Sequence, residues 1–182
     1  LAASALVLDA RGRTDFAIQQ ITKAFDLSVD EDSKLISWYG NVARFFEKKP
    51  IASEIQYLES IRRRKNIPQV QLWIDLFIAQ RLAKDGGDMT RSREKLEQLL
   101  SRSDIPRLQL FAYQTYGSML FGMDDFTGAE DLWKRGIALF EDDWEMNNNM
   151  AYMLSEKLGR SEEALGFMET AIARGVTRPE PY

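Results

Sequence analysis

Apolar residues recur three and four positions apart along most of the chain, and short polar or glycine-containing breaks interrupt them at regular intervals. That spacing places the apolar positions on one face of an α-helix, whereas a half-buried strand would need sustained period-two alternation, which no segment shows. Two segments near the C-terminus set the pattern. The first is Tyr113-x2-Tyr116-Gly117-x2-Leu120, followed by Ala129-x3-Trp133-x2-Gly136. The second is Asn147-x2-Met150-Ala151-x2-Leu154, followed by Ala164-x3-Met168-x2-Ala171. Each predicts a pair of short amphipathic helices. The breaks within the pairs are Gly122-Met123-Asp124-Asp125 and Leu158-Gly159-Arg160-Ser161. Thr127, with Glu130 three residues on, predicts a capping box that opens the second helix of its pair.

The same template continues towards the N-terminus. Ala17-x3-Ile21-x2-Ala24, Glu54-x3-Leu58-x2-Ile61 and Ser92-x3-Leu96-x2-Leu99 fit second helices. Ser4-Ala5-x2-Leu8, Trp38-x2-Asn41-Val42-x2-Phe45 and Ile78-Ala79-x2-Leu82 fit the matching first helices. Second-helix anchors then fall at 17, 54, 92, 129 and 164, with spacings of 37, 38, 37 and 35. The surplus residues belong in turns such as Asp85-Gly86-Gly87-Asp88. Pro68 and Pro106 sit where first helices should begin, a position that tolerates proline because its missing N–H has no partner there. Pro50 precedes the second helix of the second pair. Small residues at Gly117, Ala129, Ala151 and Ala164 let the helices of a pair approach closely.

This pattern resembles the tetratricopeptide repeat, a helix-turn-helix unit of about 34 residues with a W-x2-L-G-x2-Y…A-x3-F signature. Asn148 to Leu154, followed by Gly159 to Leu165, is the best match, and the resemblance covers nearly the whole chain. Glu54 and Ser92 stand where the family has alanine, and Asn41 where it has leucine. The resemblance implies an all-α fold of about five hairpins, in units of roughly 1–31, 32–67, 68–105, 106–143 and 144–178, stacked as one right-handed superhelical domain. Leu1 already falls inside a first helix and no polar capping element precedes it. The chain therefore reads as a piece of a longer protein.

Composition narrows the chemistry. There is no cysteine and no histidine among the 182 residues. That removes disulfides, thiolates, the commonest general base and the commonest metal ligand. No phosphate-binding glycine loop, nucleophile elbow or zinc spacing appears. We therefore expect no catalytic residues, no metal and no cofactor. Net charge is −4, which disfavours a nucleic-acid groove. From Leu120 to Glu169 there are 12 acidic and 4 basic residues, so a partner meeting that stretch should be basic. The apolar run from Ala2 to Leu8 is too short to cross a bilayer, and no basic segment precedes it.

In the tetratricopeptide family the first helices of successive units line a concave groove. Carried over residue by residue, that geometry offers Tyr39, Phe46, Trp73, Phe77 and Gln80 from the second and third units. The fourth and fifth offer Phe111, Gln114, Phe121, Asn148 and Tyr152. Aromatic rings beside amides suit an extended peptide or a helix. Packing of one repeat on the next is the competing role for Trp73, Phe77 and Phe111. The positions that hold a chaperone's C-terminal carboxylate in co-chaperone members carry no basic cluster here. Arg62-Arg63-Arg64-Lys65 could meet a phosphate or acidic peptide, but it also ends a second helix, where cations complement the macrodipole. Glu141-Asp142-Asp143 and Asp30-Glu31-Asp32 precede helix starts for the converse reason. The adjacent carboxylates of Asp124-Asp125 and Glu162-Glu163 diverge on a helix and make poor acid/base pairs.

The expected function is a protein–protein interaction scaffold that binds a protein or peptide partner, with self-association through the array ends as a further route. The alternative is a regulatory or substrate-presenting segment of a larger enzyme. A helical-repeat RNA binder has units of similar length, but the acidic balance counts against it.

Overall fold

The computed structural model describes residues 2–84, 87–102 and 104–175. Leu1, Asp85, Gly86 and the last residues of the fifth expected unit lie outside them. The described residues form ten α-helices and no strand. They are α1 (Ala2–Ala10), α2 (Thr14–Asp26), α3 (Asp32–Phe46), α4 (Ile51–Arg64), α5 (Pro68–Leu82), α6 (Met89–Leu100), α7 (Pro106–Gly122), α8 (Phe126–Leu139), α9 (Trp144–Tyr152) and α10 (Ser161–Gly175). A π-helical turn, Met153–Lys157, extends α9. Each expected unit holds one helix pair. Prolines begin α5 and α7, and Pro50 directly precedes α4.

The capping box expected at Thr127 does not form. Asp125 caps α8 instead, accepting from the Gly128 N–H at 3.0 Å. Asp124, at φ 59°, turns the chain sharply enough to start the helix at Phe126, one residue before Thr127. The Leu158–Ser161 break behaves as expected: Gly159 takes φ 64°, a left-handed turn that favours glycine, and α10 starts at Ser161.

Packing divides the chain into two compact units, residues 1–92 and 93–182. The first holds α1 to α5 and the start of α6. Its core runs through Phe25, Trp38, Val42, Leu58, Trp73 and Ile78, all at most 3% exposed. The second holds the rest of α6 and α7 to α10, around Leu108, Ala112, Trp133, Met146, Met150 and Leu154.

One joint recurs in every pair. The anchor positions Ala5/Ala17, Val42/Glu54, Ala79/Ser92, Gly117/Ala129 and Ala151/Ala164 are buried in every pair. In α7–α8 the approach is tightest. A Cβ added to Gly117 would fall 2.0 Å from Trp133 Nε1, so only glycine lets the indole lie against α7. In the two pairs whose anchor is polar, that side chain takes a polar partner. Ser92 donates to the Ala79 carbonyl at 2.9 Å, and Glu54 pairs with Arg81 at 2.5 Å.

Candidate functional site

Three features organise the first unit. The basic run at the end of α4 is absorbed by ion pairs. Arg62 forks onto Asp75 of α5 at 3.0 and 3.1 Å, while Arg64 and Lys65 reach Asp26 at the end of α2. Arg63 is exposed. The second feature is Asp32, in the first turn of α3. It accepts from the Trp73 indole N–H at 2.7 Å and from Gln69 at 3.2 Å, tying α3 to the start of α5. Third is a buried polar node. The Glu54 side chain is 1% exposed, with Oε2 on Arg81 and Oε1 buried without a hydrogen-bond partner among the described residues. Burial pushes this carboxyl above its ordinary range, and the Arg81 guanidinium pulls it only part of the way back. Tyr39 stands beside it. Burial pushes its phenol well above the ordinary value, and the Glu54 charge adds to that. An open cleft of about 370 Å³ adjoins the node, lined by Ala43, Arg44, Glu47, Glu54, Arg81 and Lys84.

The second unit is organised around Asp143 and Trp133. Asp143 caps α9 by accepting from the Met146 N–H at 2.9 Å, and it also takes the Gln114 amide at 3.0 and 3.1 Å. A side chain that opens one first helix is thereby tied to the middle of another. On α8, Glu130 is held by Lys134 and by Arg160, whose guanidinium also forks onto Glu163. These cations hold the Glu130 carboxyl below its usual range. A cleft of about 470 Å³ lies between α6, α7 and α8, with Tyr116 donating to Glu97 at 3.0 Å on its wall.

The sequence-predicted groove residues separate into three groups. Phe46, Trp73, Phe77 and Gln114 are buried, at 3%, 0%, 2% and 7% exposure. Their side chains pack within the unit: Trp73 and Gln114 hold the carboxylates just described, and Phe77 sits among Trp38, Tyr39 and Trp73. The reason is visible in the helices themselves. α5 and α7 are apolar nearly all round, eight and nine of their residues being buried, and such helices keep no wide face for solvent. Tyr39, Gln80, Phe111 and Phe121 are half-buried. Tyr39 stacks on Phe77 with centroids 4.2 Å apart and donates to the Phe77 carbonyl at 3.2 Å. Asn148 and Tyr152 are exposed, Tyr152 by 49%. Its ring meets Phe121 at 6.0 Å, and Phe121 in turn meets Phe126 at 5.7 Å.

Sequence reasoning overlooked the Glu54–Arg81–Tyr39 node and the Gln114–Asp143 tie. The first had a signal: an ionisable residue where the other pairs place a small one requires a buried partner. The second had none, because nothing in the spacing joins positions 29 residues apart. Among the described residues, no group of three or more carboxylates is placed to hold a metal ion. None of the described helices is long and apolar enough to cross a membrane. No family model matches this chain, and no curated protein or solved structure matches it either.

Proposed function

We propose that the chain is a non-catalytic, protein-binding scaffold of the tetratricopeptide type, whose helix pairs continue into one superhelix and whose first helices present the partner-binding face. The observation that carries this reading is the recurrence in all five helix pairs of two buried positions, one on each helix, twelve or thirteen residues apart. A hairpin of this kind cannot bury its apolar face alone and gains stability by stacking on like neighbours. Exposed Asn148 and Tyr152, one turn apart on α9, support a contact surface on the first helices of the second unit. An amide and a ring with a phenolic tip bind a peptide backbone and an apolar side chain together.

The test uses the chain as bait and identifies the proteins it captures. Direct binding of the captured partner is then compared for wild type, for a double variant Asn148→Ala with Tyr152→Ala, and for Arg63→Ala. Both variants alter exposed side chains, so helicity should be unchanged and must be shown to be. The double variant is expected to weaken the partner by about 2 kcal/mol or more, and Arg63→Ala to leave it within about twofold. Normal binding by the double variant, whatever the partner, rules out the first-helix face in this unit.

A further inference from the structure

We infer that the exposed aromatic patch of the second unit takes an arginine- or lysine-rich segment of its partner protein, an inference that rests on the scaffold reading above. Three helices build the patch. Phe121 ends α7, Phe126 begins α8, and Tyr152 ends α9, with ring centroids 5.7 and 6.0 Å from Phe121. Tyr152 and neighbouring Met123 are 49% and 46% exposed. The Tyr152 hydroxyl and the Asn148 amide have no hydrogen-bond partner among the described residues, so both are available to a ligand. Apolar surface of this kind accepts many partners, and charge decides among them.

The net charge here is negative, although Lys157 stands beside Glu156 in the π turn. The first unit carries 14 basic and 12 acidic residues, the second 10 basic and 16 acidic. In the acidic stretch, three of the four cations are spent internally: Lys134 and Arg160 on Glu130, Arg160 also on Glu163, and Arg135 on Asp131. Two carboxylates close to the patch in sequence are not. Asp124 follows Phe121 by three residues in the turn after α7, and Glu156 follows Tyr152 by four in the π turn. Both are exposed and neither has an ion-pair partner among the described residues. An exposed ring with free carboxylates three and four residues along the chain from the patch suits a cation with an apolar stem. The ring quadrupole attracts the charge, the stem covers the ring, and the carboxylate accepts its N–H groups. An acidic segment would meet repulsion at every one of these positions.

The test measures binding to the full chain of two fluorescent peptides equal in length and leucine content, one arginine-rich and one glutamate-rich. The arginine peptide is expected to bind about tenfold tighter or more than its acidic twin. It should weaken as ionic strength rises. Tyr152→Ala should weaken it by about tenfold, and Asp124→Lys with Glu156→Lys by at least as much. Equal binding of the two peptides overturns the inference. So does arginine-peptide binding that is indifferent to both variants, or no arginine-peptide binding at all. If any of these occurs while a captured partner still depends on Asn148 and Tyr152, the scaffold reading stands and only the basic character of the partner is lost.

Discussion

At the scale of single residues, glycines separate packing from propensity. Gly117 and Gly166 are both inside helices, yet a methyl group added at the first would fall 2.0 Å from Trp133 Nε1, and at the second would meet nothing within 4 Å. Gly117→Ala is therefore expected to destabilise by about 1–3 kcal/mol through overpacking against a rigid indole. Gly166→Ala should stabilise by roughly 0.5–1 kcal/mol through helix propensity alone. Urea midpoints of the two variants should move in opposite directions, and a shared direction would contradict the α7–α8 joint. Glu54 gives a second prediction. Its folded carboxyl titrates above the ordinary range because of burial, so the folded state holds a proton that the unfolded chain has already released. Stability contributed by that proton is complete below the ordinary value and is lost as pH rises through the raised one. Wild type should thus gain on Glu54→Gln as pH is lowered from neutral towards the ordinary carboxylate range. A stability difference independent of pH across that interval would mean that burial is not felt.

At the scale of helices, the chain repeats one motif but ties its elements with different polar contacts. The α3–α5 tie uses Asp32 and Trp73, the α4–α5 tie Arg62 and Asp75, and the α7–α9 tie Gln114 and Asp143. Asp143→Ala removes a helix cap and also leaves the Gln114 amide buried without its acceptor. These two costs, about 1 kcal/mol for the cap and about 1–3 for the orphaned amide, should exceed that of Asp125→Ala, which loses a cap alone. The Gln114→Leu variant separates them: in that background the Asp143→Ala cost should fall towards the cap value, as a double-mutant cycle would show. The helices themselves were legible in the sequence, because period-3.6 spacing, prolines at α5 and α7 and the Gly159 break are local signals. The ties were not, since each joins residues distant in sequence. The exposure of the candidate contact residues was half legible. Asn148 and Tyr152 fell on an amphipathic helix whose polar face stays outside, whereas Trp73 and Gln114 fell on helices buried nearly all round.

At the scale of the whole chain, charge and packing divide along the same line: the unit with more cations spends much of its basic run in ion pairs, and the other keeps free carboxylates. A net charge of −4 hides this asymmetry, which the acidic stretch from Leu120 to Glu169 shows in the sequence and the division into units assigns to the second. The regular anchor spacing foretold five helix pairs, and it did so because a joint that admits only small or locally satisfied side chains leaves a periodic mark on composition. Where that mark was broken, at Glu54 and Ser92, the structure supplies a partner within the same unit. The π turn at Met153–Lys157 bears on how such a chain can change in length. In α7–α8 the joint residues Gly117 and Ala129 are twelve positions apart, while in α9–α10 Ala151 and Ala164 are thirteen apart. Between Ala151 and Ala164 the chain passes through a widened helical turn, which closes i to i+5 in place of i to i+4. A deletion inside Met153–Lys157 would tighten that turn into an unbroken α-helix and leave both walls of the joint in register. Elsewhere within either helix, losing one residue would rotate all that follows by about 100° and turn its apolar stripe away from its neighbour. Length variation in this hairpin is therefore least costly at the π turn or in the break that follows it, just after the exposed Tyr152 in sequence.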